Sequence, residues 1–98
     1  MERELERIRE LLEARQPAAA LRAAEALLAT APENRDVLYL RAVAQRLSGD
    51  IPAALDTLAA LERLYPRFSG LHQERGHCYV ARRQAPEAID AFLRKKGR

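Results

Sequence analysis

The sequence predicts an all-α fold, a superhelix of three helix–turn–helix repeats with six helices in total. Composition is the first reason: Ala, Leu, Arg and Glu, which favour helices, supply 59 of the 98 residues, and only 5% are aromatic. Periodicity is the second, because the sequence matches itself at an offset of 34 residues, a length that fits two short helices and their turns. A chain of this size folds as one domain with a single core.

The 34-residue offset is clearest at small, apolar and turn-forming positions, which are the least interchangeable. We place the repeats at about residues 1–34, 35–68 and 69–98. The matching sets are Ala20, Ala54 and Ala88; Leu21, Leu55 and Ile89; Ala24, Leu58 and Phe92; Pro32 and Pro66; Pro52 and Pro86; and Ala42 and Gly76.

Apolar spacing and breaker residues place each helix in turn. The first helix carries Leu5, Ile8 and Leu12, and Pro17 then begins the second. Pro32 and Pro66 end the second helices of two repeats. The predicted helices are Glu2–Ala14, Pro17–Thr30, Asn34–Ser48, Ile51–Tyr65, Ser69–Arg83 and Pro86–Lys96.

The turn inside the middle repeat has the residues expected between two helices. Gly49 supplies a left-handed residue, the Asp50 carboxylate can cap the next helix, and Pro52 is tolerated in its first turn. Small residues at Ala42 and Gly76 in the first helices, and the alanines of the 20, 54 and 88 series, predict close helix contacts.

The pattern resembles the tetratricopeptide repeat family, and the resemblance covers nearly all of the chain. The third repeat carries it most clearly through Gly76, Tyr79, Ala88 and Phe92, and the second through Ala42, Gly49, Ala54 and Pro66. A narrower resemblance links residues 75–94 to the repeat region that precedes sulfotransferase-type domains in some bacterial proteins. No phosphate-binding loop of such an enzyme is present in the sequence.

The family resemblance implies a non-catalytic module that binds a protein partner, as a peptide or helix, in a groove lined by the first helices. By helical phase, the expected groove residues are Arg9, Tyr39, Val43, Arg46, Gln73 and His77, accompanied by apolar positions that include Leu47 and Val80. The basic clamp that some family members use for chaperone tails is not expected, because the corresponding positions hold Leu5, Leu40, Gly70 and Glu74.

Outside the carboxylates, the candidate catalytic side chains are His72, His77 and Cys78. They are not spaced as an i, i+4 metal pair or a nucleophile with its base, so we predict no catalytic site, metal or cofactor. Cys78 is interpreted as a small buried residue. A single cysteine indicates no disulfide framework, and with no signal peptide or membrane span in the sequence we expect a cytoplasmic protein.

The net charge of +3 comes from the end of the sequence. Residues 1–94 contain 14 arginines and 14 acidic residues, so the excess is the basic tail at 95–98, which includes Lys95, Lys96 and Arg98. We therefore predict no nucleic-acid binding. Arg7, Arg41 and Arg75 recur once per repeat, and we interpret each as lying on its helix pair beside a carboxylate, with a basic ladder as the alternative.

The final repeat lacks an added capping helix, and its edge at Tyr79, Ile89, Phe92 and Leu93 is a candidate surface for homo-oligomerisation. Two alternatives to a plain interaction module stay open. One is a recruiting domain excised from a larger, sulfotransferase-type enzyme. The other is an engineered repeat scaffold that self-associates through this edge.

Overall fold

The computed structural model describes residues 1–83, and within them the chain forms five α-helices and no strand. The helices are α1 (Glu2–Glu13), α2 (Pro17–Leu28), α3 (Arg35–Leu47), α4 (Ile51–Leu64) and α5 (Ser69–Arg83). Each bound lies within two residues of its prediction. The predicted sixth helix, Pro86–Lys96, and the basic tail at 95–98 lie outside the described residues.

Two helices begin on side-chain caps. The Asn34 Oδ1 accepts a hydrogen bond from the Val37 N–H at 3.1 Å, and the Asp50 Oδ1 accepts one from the Ala53 N–H at 3.2 Å. Each bond satisfies an N–H that the helix itself leaves without a partner. Asn34 is therefore the cap of α3 and not its first residue, whereas Asp50 caps α4 as predicted.

The first helices of the repeats form one layer and the second helices form another. Consecutive helices pack against each other, and in addition α1 contacts α3 and α3 contacts α5. The helices α1, α3 and α5 therefore lie side by side, with α2 and α4 packed behind them. This is the arrangement expected of a helical-repeat superhelix.

The core consists of two apolar clusters, one at each contact between repeats. The buried members of the first are Leu5, Ile8, Ala20, Ala24, Val37, Leu40 and Ala44. Those of the second are Leu38, Ala42, Ala54, Leu58, Leu61, Leu71 and Cys78. Leu28 and Tyr39 pack against both clusters and so join them into a continuous interior.

The small-residue positions are buried where they can be described. Ala20, Ala42 and Ala54 are completely buried, as the 34-residue series predicts. At Gly76, an added Cβ would meet no atom within 4 Å among the described residues, and the helix predicted to pack there is outside them. The close contact at Gly76 therefore stays a prediction.

One buried polar contact connects the two helices of the middle repeat. The Thr57 hydroxyl on α4 donates to the Gln45 side-chain oxygen on α3 at 2.6 Å, and both residues are buried. The bond satisfies groups whose burial alone would destabilise the fold. Within residues 1–83, no helix has the length and apolar character needed to cross a membrane.

Candidate interaction surface

The layer formed by α1, α3 and α5 presents the predicted groove residues, and we call this surface the first-helix face. It comprises Arg9 on α1, Tyr39, Val43, Arg46 and Leu47 on α3, and Gln73, His77 and Val80 on α5. Gln73 and His77 are exposed, and Arg9, Tyr39 and Val43 are partly buried. Leu47 and Val80 are 47% and 55% exposed, which gives the face apolar surface that faces solvent.

Arg46 makes a buried ion pair with a residue that the sequence analysis placed only as a non-basic clamp position. Its Nε donates to Glu74 Oε2, and its Nη2 donates to Glu74 Oε1 at 3.3 Å. Glu74 is only 1% exposed. A two-point guanidinium contact is the geometry that best compensates the loss of water from a carboxylate. Arg46 thus fastens α3 to α5.

The pairing of Arg46 with Glu74 has a signal in the repeat itself. A shift of 34 residues back from Arg46 and Glu74 leads to Leu12 and Leu40, and both leucines belong to the first apolar cluster. Two positions that touch in one repeat contact are therefore occupied by opposite charges in the next. Sequence reasoning by helical phase alone assigned Arg46 to the groove because it considered each helix separately.

Tyr39 is fixed by an aromatic cluster at the start of the third repeat. Its ring meets the Phe68 ring edge to face, with 5.5 Å between centroids, and the Arg35 guanidinium lies 4.8 Å from the Phe68 centroid. A Cβ at Gly70 would lie 2.7 Å from the Phe68 ring and 3.2 Å from Tyr39, so the absence of a side chain there leaves room for the cluster. Such ring and cation contacts hold Tyr39 in one orientation.

Burial, and then the nearby Glu74 carboxylate, raise the pKa of the Tyr39 phenol above its ordinary value. The hydroxyl is therefore fully protonated at neutral pH and is available as a hydrogen-bond donor. It is a polar group at the edge of an otherwise apolar part of the first-helix face.

Cys78 is completely buried, which confirms its interpretation as a small core residue. Burial, and then the charge of Glu74, raise the pKa of its thiol, so the thiolate that a nucleophile needs is disfavoured. Within residues 1–83, no group of three or more His, Cys, Asp and Glu residues is arranged to hold a metal ion.

Two of the three arginines that recur with the repeat meet a carboxylate across a repeat boundary. Arg41 on α3 pairs with Glu25 on α2 at 3.3 Å, and Arg75 on α5 pairs with Glu62 on α4 at 3.0 Å. The hydrogen bond from Arg75, together with its charge, lowers the pKa of Glu62. The predicted interpretation is confirmed for Arg41 and Arg75. Arg7 lies beside Ala23 and Leu27 of α2, without an ion pair among residues 1–83.

The predicted self-association edge is only partly within the described residues. Tyr79 is 49% exposed on α5. Ile89, Phe92 and Leu93 lie outside the described residues, so this edge stays a prediction.

Comparison with known proteins identifies the repeat type. The family model described as tetratricopeptide repeat matches residues 5–67, which is more than half of the chain. No curated protein and no solved structure matches the chain.

Proposed function

Because the chain belongs to the tetratricopeptide repeat family, whose repeats generally mediate protein–protein interaction and are typically non-enzymatic, we propose that it binds a peptide or helix of a partner protein on the first-helix face. The observation that carries the proposal is the exposed apolar surface of this face. Leu47 and Val80 are two of the five large apolar side chains that are exposed among the described residues, and they lie on neighbouring helices of one layer.

The side chains of the face divide into two roles in this proposal. Val43, Gln73 and His77 contact the partner directly, because they are not held by other side chains of the protein. Arg9 is weakly engaged, since its ion pair with Glu6 is 3.6 Å long and exposed. Arg46 acts by holding α5 against α3, because its guanidinium is already bound by Glu74.

The test must therefore avoid Arg46 and Tyr39, whose replacement would disturb packing. We would compare capture of partner proteins by the full chain and by a Val43→Glu, His77→Glu variant. The matched control is Ala18→Glu, Ala26→Glu, which adds the same two carboxylates at exposed positions of α2. Circular dichroism would verify that both variants remain folded.

We expect the face variant to lose partners that the wild type and the α2 control both retain, because a charge in an apolar contact must be desolvated. Identical partner sets for all three proteins would contradict the proposal. So would loss of the same partners from the α2 control.

A further inference from the structure

A surface pocket occurs twice in the described structure, at positions related by the 34-residue repeat. The first, with a volume of about 450 Å³, is lined by Leu12, Glu13, Arg15, Pro17 and Leu47. The second, of about 370 Å³, contains the equivalents of four of these residues, namely Arg46, Gly49, Ile51 and Ala81. We call them the first and second turn pockets. Each lies where the end of one first helix, the start of its second helix and the end of the next first helix meet.

The backbone of the two pockets is the same although one key residue differs. Gly49 has φ of 90°, and its equivalent Arg15 has φ of 60°, both in the left-handed region. The same two hydrogen bonds follow each helix. The N–H groups of Arg15 and Gly49 bond to the carbonyls of Leu12 and Arg46, and those of Gln16 and Asp50 bond to the carbonyls of Leu11 and Gln45.

Arginine is an unfavourable residue at this left-handed position, because its Cβ crowds the following carbonyl, whereas glycine has no such cost. The second repeat uses glycine and the first does not. A strained side chain that persists in a position where glycine suffices points to a use for that side chain. Arg15 lies on the rim of the first turn pocket, is exposed, and has no ion pair among residues 1–83.

The first turn pocket combines an apolar floor with opposite charges on its rim. Leu12, Pro17 and the half-exposed Leu47 supply the floor. Arg15 attracts an anion at the rim. Glu13, also exposed on the rim, repels a second one. This arrangement favours a single carboxylate next to an apolar side chain over a run of acidic residues.

We propose that the first turn pocket binds an extended peptide segment of a partner protein, with one apolar side chain seated on Leu12, Pro17 and Leu47 and one Asp or Glu carboxylate against Arg15. This site is separate from the Val43, Gln73 and His77 contacts of the first-helix face. It therefore holds or fails independently of the function proposed above.

The probe is a short peptide, acetyl-Gly-Ser-Leu-Ser-Asp-Gly-Ser-amide, titrated into the isotopically labelled full chain and followed by the backbone amide resonances. A second peptide with Lys in place of Asp controls for charge. We expect the Asp peptide to shift the resonances of Arg15, Gln16 and Leu47, and to bind about fivefold more tightly than the Lys peptide.

Two substitutions at Arg15 separate a binding role from a structural one. Arg15→Gly should raise the melting temperature, because it relieves the left-handed strain, and should weaken the Asp peptide about fivefold without affecting the Lys peptide. Arg15→Lys retains the charge and should retain most of the preference for Asp. The Val43→Glu, His77→Glu variant should bind the Asp peptide as well as the wild type does.

Any of three results would overturn the proposal. The Asp peptide could fail to shift these resonances up to its solubility limit. The two peptides could bind the wild type equally well. Arg15→Gly could bind the Asp peptide as tightly as the wild type does.

Discussion

The two contacts between successive first helices have the same geometry and opposite chemistry. Between α1 and α3, Leu12 packs against the apolar cluster that contains Leu40. Between α3 and α5, the equivalent positions 46 and 74 hold the Arg46–Glu74 ion pair. The repeat therefore determines which two positions meet, and it leaves open whether they meet through apolar packing or through charge.

The difference shows what the ion pair contributes. A carboxylate as buried as Glu74 destabilises the fold unless its charge is compensated, and the described residues supply that compensation through Arg46. The leucines of the other contact need no such partner. The two contacts should consequently respond very differently to the loss of one member.

The largest effect is expected from Arg46→Leu. This change restores the residue type found at position 12 but leaves Glu74 buried without its guanidinium. It should lower the free energy of unfolding by about 3 to 5 kcal/mol, measured by urea denaturation.

Leu40→Ala is the matched change at the apolar contact. It should lower the free energy of unfolding by about 2 to 3 kcal/mol through lost packing, with no dependence on salt. If Arg46→Leu costs less than Leu40→Ala, the ion pair is not the element that holds α5 in place.

The smaller effects concern the exposed pairs that follow the repeat. Arg75→Ala and Arg41→Ala should each lower the free energy of unfolding by less than about 1 kcal/mol, because their ion pairs are open to solvent and screened by salt. Equal losses at low and high salt would contradict this explanation.

The Arg75 pair also predicts a dependence on pH. Because Arg75 lowers the pKa of Glu62, its contribution is present above the unfolded pKa of a glutamate, about 4.3, and is lost as the pH falls through the lower folded value. The stability difference between wild type and Arg75→Ala should therefore shrink in acid. A difference that grows in acid would exclude Glu62 as the partner.

The sequence predicted the elements of the fold well because its signals are local. Pro17, the Asp50 cap and the left-handed Gly49 mark helix ends through their own backbone chemistry. The 34-residue offset then supplied the order of packing. The error at Asn34 is a single residue, because an N-cap and a first helical residue differ only in backbone angles.

The functional surface was less predictable, because its side chains depend on neighbours that are distant in sequence. Helical phase placed Arg46 on the first-helix face but could not show that Glu74, 28 residues away, occupies its guanidinium. The left-handed backbone at Arg15 was also missed. Its position 34 residues before Gly49 was the available signal.

The measurement that tests the account most directly is the double variant Arg46→Leu, Glu74→Leu, which gives the second contact the residue types of the first. If Arg46 and Glu74 position α5 and do not bind the partner, the variant should have a free energy of unfolding within about 1 kcal/mol of the wild type, or higher. It should also capture the same partners. A loss of stability that equals the sum of the two single changes, or the loss of partners by a folded double variant, would contradict the account.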